Sequence, residues 1–374
     1  MSKIQTHAMI DPFVIMRETM TSLLKRVATL IAACSFLFAS INSYADTKPD
    51  QETKPLHFSE KAEVFIDYMV KVHHFNRKKL THLLSQVKYN QDVIYKISHP
   101  YESKPWNVYK AHFLTQARIE NGALYWKKHA KALEYAQKKY GVPASIIVAI
   151  IGVETNYGQH TGSYYAIDAL STLAFTYPKR SHFFTKELVQ YLLLTKEQNF
   201  PPLSVKSSYA GAIGIPQFMP STYRHYAVGY ASKNHSDIVK VDADAIVSIA
   251  NYFCVNGWER HQPIASEFSN AKPFNPKLIS DKPRLRITVR ELEKMGIHPA
   301  TKMISANEKA AIVELQNETG ETYWLVFHNF KVIMKYNPRV TYAMAVYQLS
   351  EAIQKAHDQQ TSGTGPTTTS ARKA

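Results

Sequence analysis

The chain has 374 residues, a hydrophobic fraction of 45% and 23 tyrosines, which supplies core for two or three packed regions and excludes a disordered protein. Its net charge of +15 points to an anionic partner without choosing among nucleic acid, acidic lipid and an acidic polymer.

In chain order, the first element is a leader. Lys25-Arg26 precedes the apolar run Val27 to Ile41, and Asn42-Ser43-Tyr44-Ala45 follows with small residues at Ser43 and Ala45. This is the layout of a secretory signal over residues 1–45, with a run too short for a comfortable membrane span. Two other readings stay open: an uncleaved anchor, and a lipobox-like Ile31-Ala32-Ala33-Cys34 with Cys34 lipidated. Only about seven apolar residues precede Cys34, and the run continues through Ser35-Phe36-Leu37-Phe38, so cleavage after Ala45 is preferred. The long lead before Lys25 fits a true start at Met16 or Met20. The leader holds four cations and two acids, so the remainder carries +13. Without the leader only Cys254 remains, which leaves no intrachain disulfide and no cysteine-based metal site. Its apolar setting, Ile249 to Val255, predicts a buried thiol.

From Lys48 the pattern is helical. Phe58 to His74 carries apolar residues at helical intervals, with Ser59 as the expected N-cap. Arg77 to Val87 and Gly122 to Tyr140 repeat the pattern, the latter stopped by Gly141 and Pro143. The prolines around Tyr101 mark a loop at residues 99–106. Further helices are expected over Ala144 to Val153, Ala166 to Leu173, Lys186 to Leu194, Asp242 to Asn256 and Thr341 to Ala356. Gln262 to Pro283 holds four prolines and no period, which sets a boundary before a small α/β module. Leu285 to Thr288 and Thr322 to Phe327 read as its strands. The Thr- and Ser-rich end of the chain reads as a disordered tail over 358–374.

Glu154 closes the apolar run Ile146 to Val153. Two readings fit it. It is either an exposed carboxyl group where a buried stripe stops, or a poorly solvated acid whose pKa is raised toward neutrality for proton transfer. The segment Ser208 to Ser221 is equally double-edged. Its Ala210, Gly211, Ala212 and Gly214 allow close backbone approach to a ligand or to a packed helix, and Gln217 offers one amide able to donate and accept.

Taken together, ordered blocks resemble the membrane-bound lytic murein transglycosylase B family. They are Gly152-Val153-Glu154-Thr155-Asn156-Tyr157-Gly158, Asp168 to Phe175, Tyr177-Pro178-Lys179-Arg180, Gly211-Ala212-Ile213-Gly214 with Gln217 to Ser221, Ala250 to Phe253 with Gly257-Trp258, and Tyr336-Asn337 with Tyr342 to Val346. The resemblance spans about two-thirds of the chain, from Trp106 to Gln348. It implies a mainly α (α+β) fold: an N-terminal helical region at 46–145 packing with 335–357, a lysozyme-like catalytic core at 146–260, and the small α/β domain at 261–334. It implies Glu154 as sole catalytic carboxylate. Ser208, Gln217, Tyr252, Tyr336, Asn337, Tyr109 and Arg180 (with Lys179) then line the glycan site.

What the resemblance implies chemically is a lytic transglycosylase. It would cut the β-1,4 bond between N-acetylmuramic acid and N-acetylglucosamine of peptidoglycan without water, leaving 1,6-anhydromuramoyl ends. Two-carboxylate glycosidases use a second acid as nucleophile or base. Here the nearby Asp168 reads as a cap or structural residue. The substrate supplies the missing groups: its acetamido carbonyl steadies charge at C1 and its C6 hydroxyl attacks, with the entropic advantage of an intramolecular nucleophile. Exclusion of water favours this outcome over hydrolysis. A muramidase acting on the same bond, and a decayed peptidoglycan-binding protein, are the alternatives. No cofactor is expected. Family members can carry an EF-hand-like loop after a Tyr-Ala-Val, here Tyr226-Ala227-Val228. Gly229, Ala231, Lys233 and His235 stand where oxygen ligands would be required, so no metal is expected. The expected partner is therefore the anionic peptidoglycan strand rather than nucleic acid. The expected location is the periplasm of a Gram-negative cell, with membrane association through the N-terminus open. The protein would act as a monomer or within a cell-wall enzyme complex.

Overall fold

The structure is a computed structural model that describes residues 56–99, 104–232, 235–270, 273–301 and 303–362. The leader, Cys34 and residues 363–374 lie outside the described residues. The described chain belongs to one compact unit, residues 53–374.

The first half is helical: α1 (Leu56–His73), α2 (Arg77–Ser85), α3 (Gln91–Ser98), α4 (Trp106–Phe113), α5 (Gln116–Lys128), α6 (Ala130–Tyr140) and α7 (Ala144–Thr155). Ser59 lies inside α1 rather than capping it. The expected helix over Gly122 to Tyr140 divides at His129, whose ring sits on Tyr125 at 4.4 Å. The division follows packing. Helix α5 faces α7 and the C-terminal helix, whereas α6 faces the helix at 242–255.

Helix α7 is the axis of the molecule. Eleven of its twelve residues are buried, and Glu154 alone is not. A helix apolar all round belongs at the centre of a fold. Its end is turned sharply by three successive left-handed residues, Asn156, Tyr157 and Gly158. The Asn156 N–H donates to Gly152 O at 3.1 Å, closing the last turn. Gly152 is required because a Cβ there would stand 2.7 Å from the Tyr157 hydroxyl, which folds back to donate to Arg118 O.

After α7 come β1 (Tyr164–Tyr165), α8 (Ala166–Thr176), α9 (Ser181–Glu197), β2 (Lys206–Ser207), α10 (Pro220–Tyr226) and α11 (Asp242–Val255). Strands β1 and β2 pair antiparallel, which draws Ser208 toward the end of α7. Asp168 on α8 accepts from Lys88 N at 2.8 Å, a structural tie. Cys254 is exposed, contrary to the buried thiol expected. Helix α11 is buried almost all round from Asp244 to Ala250, and Cys254 and Val255 fall in its last turn, where the helix emerges from the core.

The loop between α10 and α11 is closed by protein groups. Asp244, 8% exposed, accepts from Tyr230 N and Asp237 N, both at 2.8 Å. Asp237 in turn accepts from Val239 N and Lys240 N. Asp237 and Asp244 are thus engaged with backbone, and Asp242 accepts from the Tyr125 hydroxyl at 2.8 Å. Chelation with EDTA is expected to leave Tm unchanged within about 1 °C. Asp244→Ala, which strips acceptors from two backbone N–H groups, is expected to lower it by several degrees, roughly 2–4 °C per kcal/mol. Differential scanning calorimetry reads both.

The remaining elements are β3 (Ala265–Asn270), β4 (Ile287–Thr288), α12 (Val289–Lys294), β5 (Ile297–Pro299), β6 (Lys309–Asn317), β7 (Gly320–Val326), α13 (His328–Tyr336) and α14 (Val340–Thr361). The strands form an antiparallel sheet of order β4-β6-β7-β3-β5. Strand β6, which no sequence pattern announced, sits second in it. The sheet is buried on both faces. Ala310, Ile312, Leu325 and Phe327 join Val289, Leu292 and Ile297 in a small core, while Ala311, Val313, Leu315 and Val326 join the main one. The sheet therefore shares the main core rather than hanging from it. Helix α14 runs to Thr361, past the point at which the sequence pattern placed a disordered tail.

Candidate active site

Glu154 emerges from the last turn of α7, where the helix dipole turns its negative end. Its Oε1 accepts a hydrogen bond from the Tyr342 hydroxyl at 2.6 Å. Tyr342 lies at the start of α14 and is 2% exposed. Its ring stacks near-parallel on Tyr336, at 6.4 Å and 12°. The Tyr336 hydroxyl donates to Pro216 O, and the Tyr252 hydroxyl donates to Lys335 O at 2.7 Å. Rings of Phe218, Tyr252, Phe253 and Tyr336 interlock at centroid separations of 5.0–5.8 Å. An aromatic wall thus ties α7, the 208–218 segment, α11, α13 and α14 to one carboxyl group.

Burial pushes the Tyr336 and Tyr342 phenols well above their ordinary range, and the neighbouring Glu154 carboxylate adds to it. Both hydroxyls therefore stay protonated, and Tyr342 stays a donor. Below the wall, Arg118 Nη1 donates to Gly152 O at 2.5 Å, and its Nε is buried without a partner among the described residues. Burial lowers its pKa, but a guanidinium remains charged. It places a cation under the C-terminal end of α7.

The 208–218 segment is a compact hairpin-like loop. Ser208 Oγ accepts from Ala210 N at 3.3 Å and Ala212 N at 3.1 Å. Gln217, at φ +50°, spends its amide Nε2 on Thr161 O and Gly214 O, at 3.0 and 2.9 Å. Two of the small residues are fixed by protein packing, one of them, Gly211, against helix α8. A Cβ on Gly211 would meet Leu170 Cδ2 at 2.4 Å, and one on Gly214 would meet Ile238 O at 2.5 Å. Gly162 is bound more tightly still: a Cβ there would fall 2.1 Å from the Ser207 carbonyl.

The expected site residues thus divide. Glu154, Tyr252 and Tyr336 share the aromatic wall, and Gln217 adjoins it through Phe218. Asn337 follows Tyr336 directly, half-buried at the end of α13. Tyr109 is different: it is 1% exposed and packs on Phe113 at 4.8 Å, an interior position where a glycan contact had been expected. It still raises the Tyr342 phenol, so the two lie close. Arg180 is exposed at the head of α9, its guanidinium over Phe183 at 4.4 Å. Tyr342 had been seen only as part of a block and not as the partner of Glu154.

A transglycosylase SLT domain model matches residues 57–351. The chain belongs to this transglycosylase family. The membrane-bound lytic murein transglycosylase B of Escherichia coli is 37% identical over 308 residues, covering 80% of this chain and 84% of that protein. The crystal structure of the soluble lytic transglycosylase SltB1 from Pseudomonas aeruginosa is similar at TM-score 0.75 and 40% identity, over 80% of this chain and 99% of that one. A structure of the E. coli lytic transglycosylase Slt35 with bulgecin A matches at TM-score 0.73 and 36% identity, over 80% of this chain and 94% of that one. The protein is a peptidoglycan lytic transglycosylase of mainly α, lysozyme-like fold. Among the described residues of this transglycosylase no helix is long and apolar enough to cross a membrane.

Proposed function

We propose that Glu154 carries the reaction alone, first protonating the glycosidic oxygen and then removing the proton of the C6 hydroxyl as it closes onto C1. The observation that supports this is its position: the single unburied residue of a buried helix, with its carboxyl oxygen held by Tyr342 at 2.6 Å. A fixed carboxyl group at the edge of a dry wall is suited to proton transfer in both directions. No water need be consumed, because the nucleophile belongs to the substrate.

The other residues take supporting roles in this reading. Gln217 keeps its Oε1 to accept from a sugar or acetamido N–H, since Nε2 already donates twice to backbone. Ser208 shapes the loop that presents it and offers its hydroxyl to the glycan. Tyr336 and Asn337 face the acetamido region, and Arg180 meets the anionic stems at the rim. Tyr252 and Tyr109 act from behind the wall, Tyr252 by fixing Lys335 and Tyr109 by packing beside Tyr342. The peptidoglycan strand is the partner. SltB3 of P. aeruginosa, at 28% identity and TM-scores of 0.73 and 0.72 over 80% of each chain, has been crystallised with NAG-NAM-pentapeptide and with NAG-anhNAM-pentapeptide. We place the mature enzyme in the periplasm, with the leader deciding whether it is released or membrane-held.

Mass spectrometry of muropeptides released from purified sacculi tests the reading. Products ending in 1,6-anhydromuramic acid are expected. Reducing ends would make the enzyme a hydrolase, and binding without release would overturn catalysis altogether.

A further inference from the structure

Glu154 is held from two directions, and the Tyr342 hydroxyl is only one of them. The other is a grip on its backbone made by Arg118 and Tyr157. Arg118, in the first turn of α5, donates from Nη1 to Gly152 O at 2.5 Å, two residues before Glu154. Tyr157, three residues after Glu154, returns its hydroxyl to Arg118 O at 2.6 Å. One residue of α5 thus takes hold of the chain on both sides of the carboxyl-bearing position. Gly152 O also accepts from Asn156 N at 3.1 Å, so both lone pairs of that carbonyl are engaged. The carbonyls of a last helical turn lack partners within the helix, and helix ends commonly fray. This end is pinned instead.

The grip is built against local preference at three points. Asn156 and Tyr157 are left-handed, at φ +47° and +62°, a conformation that residues with a side chain seldom adopt unless their surroundings hold them there. Two helices give up a side chain at one spot to admit the Tyr157 phenol: a Cβ on Gly122 of α5 would stand 2.6 Å from its oxygen, and one on Gly152 of α7 at 2.7 Å. Arg118 keeps its buried Nε unpaired among the described residues, although an apolar side chain there would leave no donor stranded. Strain, omitted side chains and a stranded donor gathered around one helix end mark a place where function, rather than packing, sets the structure. Helix α5 also packs on both α7 and α14, the helix that carries Tyr342. Its hold on α7 therefore fixes the carboxyl group against the hydroxyl that orients it.

We propose that Arg118 and Tyr157 are positioning residues for the reaction, a backbone clamp that sets where Glu154 meets Tyr342 and the aromatic wall. The clamp acts through Glu154, so the proposal rests on Glu154 being the acting acid. Its effect belongs in kcat, because a displacement of about 1 Å in a reacting group can cost on the order of a hundredfold in rate.

The experiment measures kcat and KM on purified sacculi for Arg118→Met, Arg118→Lys and Tyr157→Phe, well below the lowest Tm of the set so that every enzyme is folded. Arg118→Met is expected to lower kcat about 10- to 100-fold with KM within about twofold of wild type. Arg118→Lys, which keeps a donor for Gly152 O, is expected to recover about tenfold of that loss. Unchanged kcat, a loss carried by KM, or equal slowness of the Met and Lys variants would overturn the clamp, leaving Arg118 a residue of stability alone. Tyr157→Phe removes one oxygen and keeps the ring in its slot, so it decides the matter if Arg118→Met does not fold. Its kcat is expected to fall about tenfold with KM held, and wild-type kcat would overturn the proposal. Glu154→Gln, assayed alongside, separates the two levels. If it kept wild-type turnover the acid assignment itself would fall, whereas a dead Glu154→Gln beside fully active Arg118 and Tyr157 variants would remove only the clamp.

Discussion

Glu154→Gln is expected to lower release of soluble muropeptides from sacculi by about a thousandfold or more, with the melting temperature unchanged. General acid–base catalysis by a positioned group contributes roughly 10²–10⁴-fold, and here one group serves both proton transfers. Gln keeps the shape of Glu and keeps an acceptor for the Tyr342 hydroxyl, so the wall should stand. Tyr342→Phe is the informative contrast. It leaves the carboxyl group in place and removes only the donor that fixes it, so kcat should fall about 10- to 100-fold with KM little changed. A Glu154→Gln enzyme retaining a tenth of wild-type turnover would end the single-carboxylate mechanism. A Tyr342→Phe enzyme as slow as Glu154→Gln would mean that the phenol does more than position.

The candidate acid's position was legible because its signal is local, whereas its role came from the ordered blocks taken together. A carboxylate closing eight apolar residues had to sit at the end of a buried helix, and α7 has that form. Its partner was not legible, because Tyr342 lies 188 residues away and is one of 23 tyrosines. Nothing in a short window distinguishes it from Tyr347, whose hydroxyl merely bonds Ala265 O. Of the small residues at 210–214, Gly211 and Gly214 mark close approach, and the local pattern leaves its objects unnamed: Leu170 on α8 and the Ile238 carbonyl. Strand β6 escaped for a related reason. With both faces buried its apolar residues run on, Ala310-Ala311-Ile312-Val313, and the two-residue alternation that marks a half-exposed strand vanishes. The break at His129 is likewise a product of two packing partners, α7 and α11, that the local pattern does not contain.

Alkaline unfolding in a single steep step is the second large effect. Eight tyrosines, at 125, 157, 191, 223, 252, 336, 342 and 347, have phenols pushed up, chiefly by burial. Tyr252 and Tyr347 reach about 12. The unfolded chain ionises its tyrosines near pH 10. Below that pH both states hold the proton, so this part of the stability is fully present and flat. Above it the unfolded state sheds protons that the folded state keeps, and stability falls until the folded pKa is passed. Each such phenol contributes up to about 1.4 kcal/mol per pH unit. Acting together, eight can remove on the order of 10 kcal/mol by about pH 11, which is comparable to the whole stability of a folded domain. The tyrosinate absorbance that these eight phenols contribute should therefore appear together with loss of the helical circular dichroism signal, with a midpoint about one unit above pH 10. Progressive ionisation of these phenols around pH 10 with the helices intact would show that the aromatic wall is open to solvent, and that Tyr342 is not held as a dry donor to Glu154.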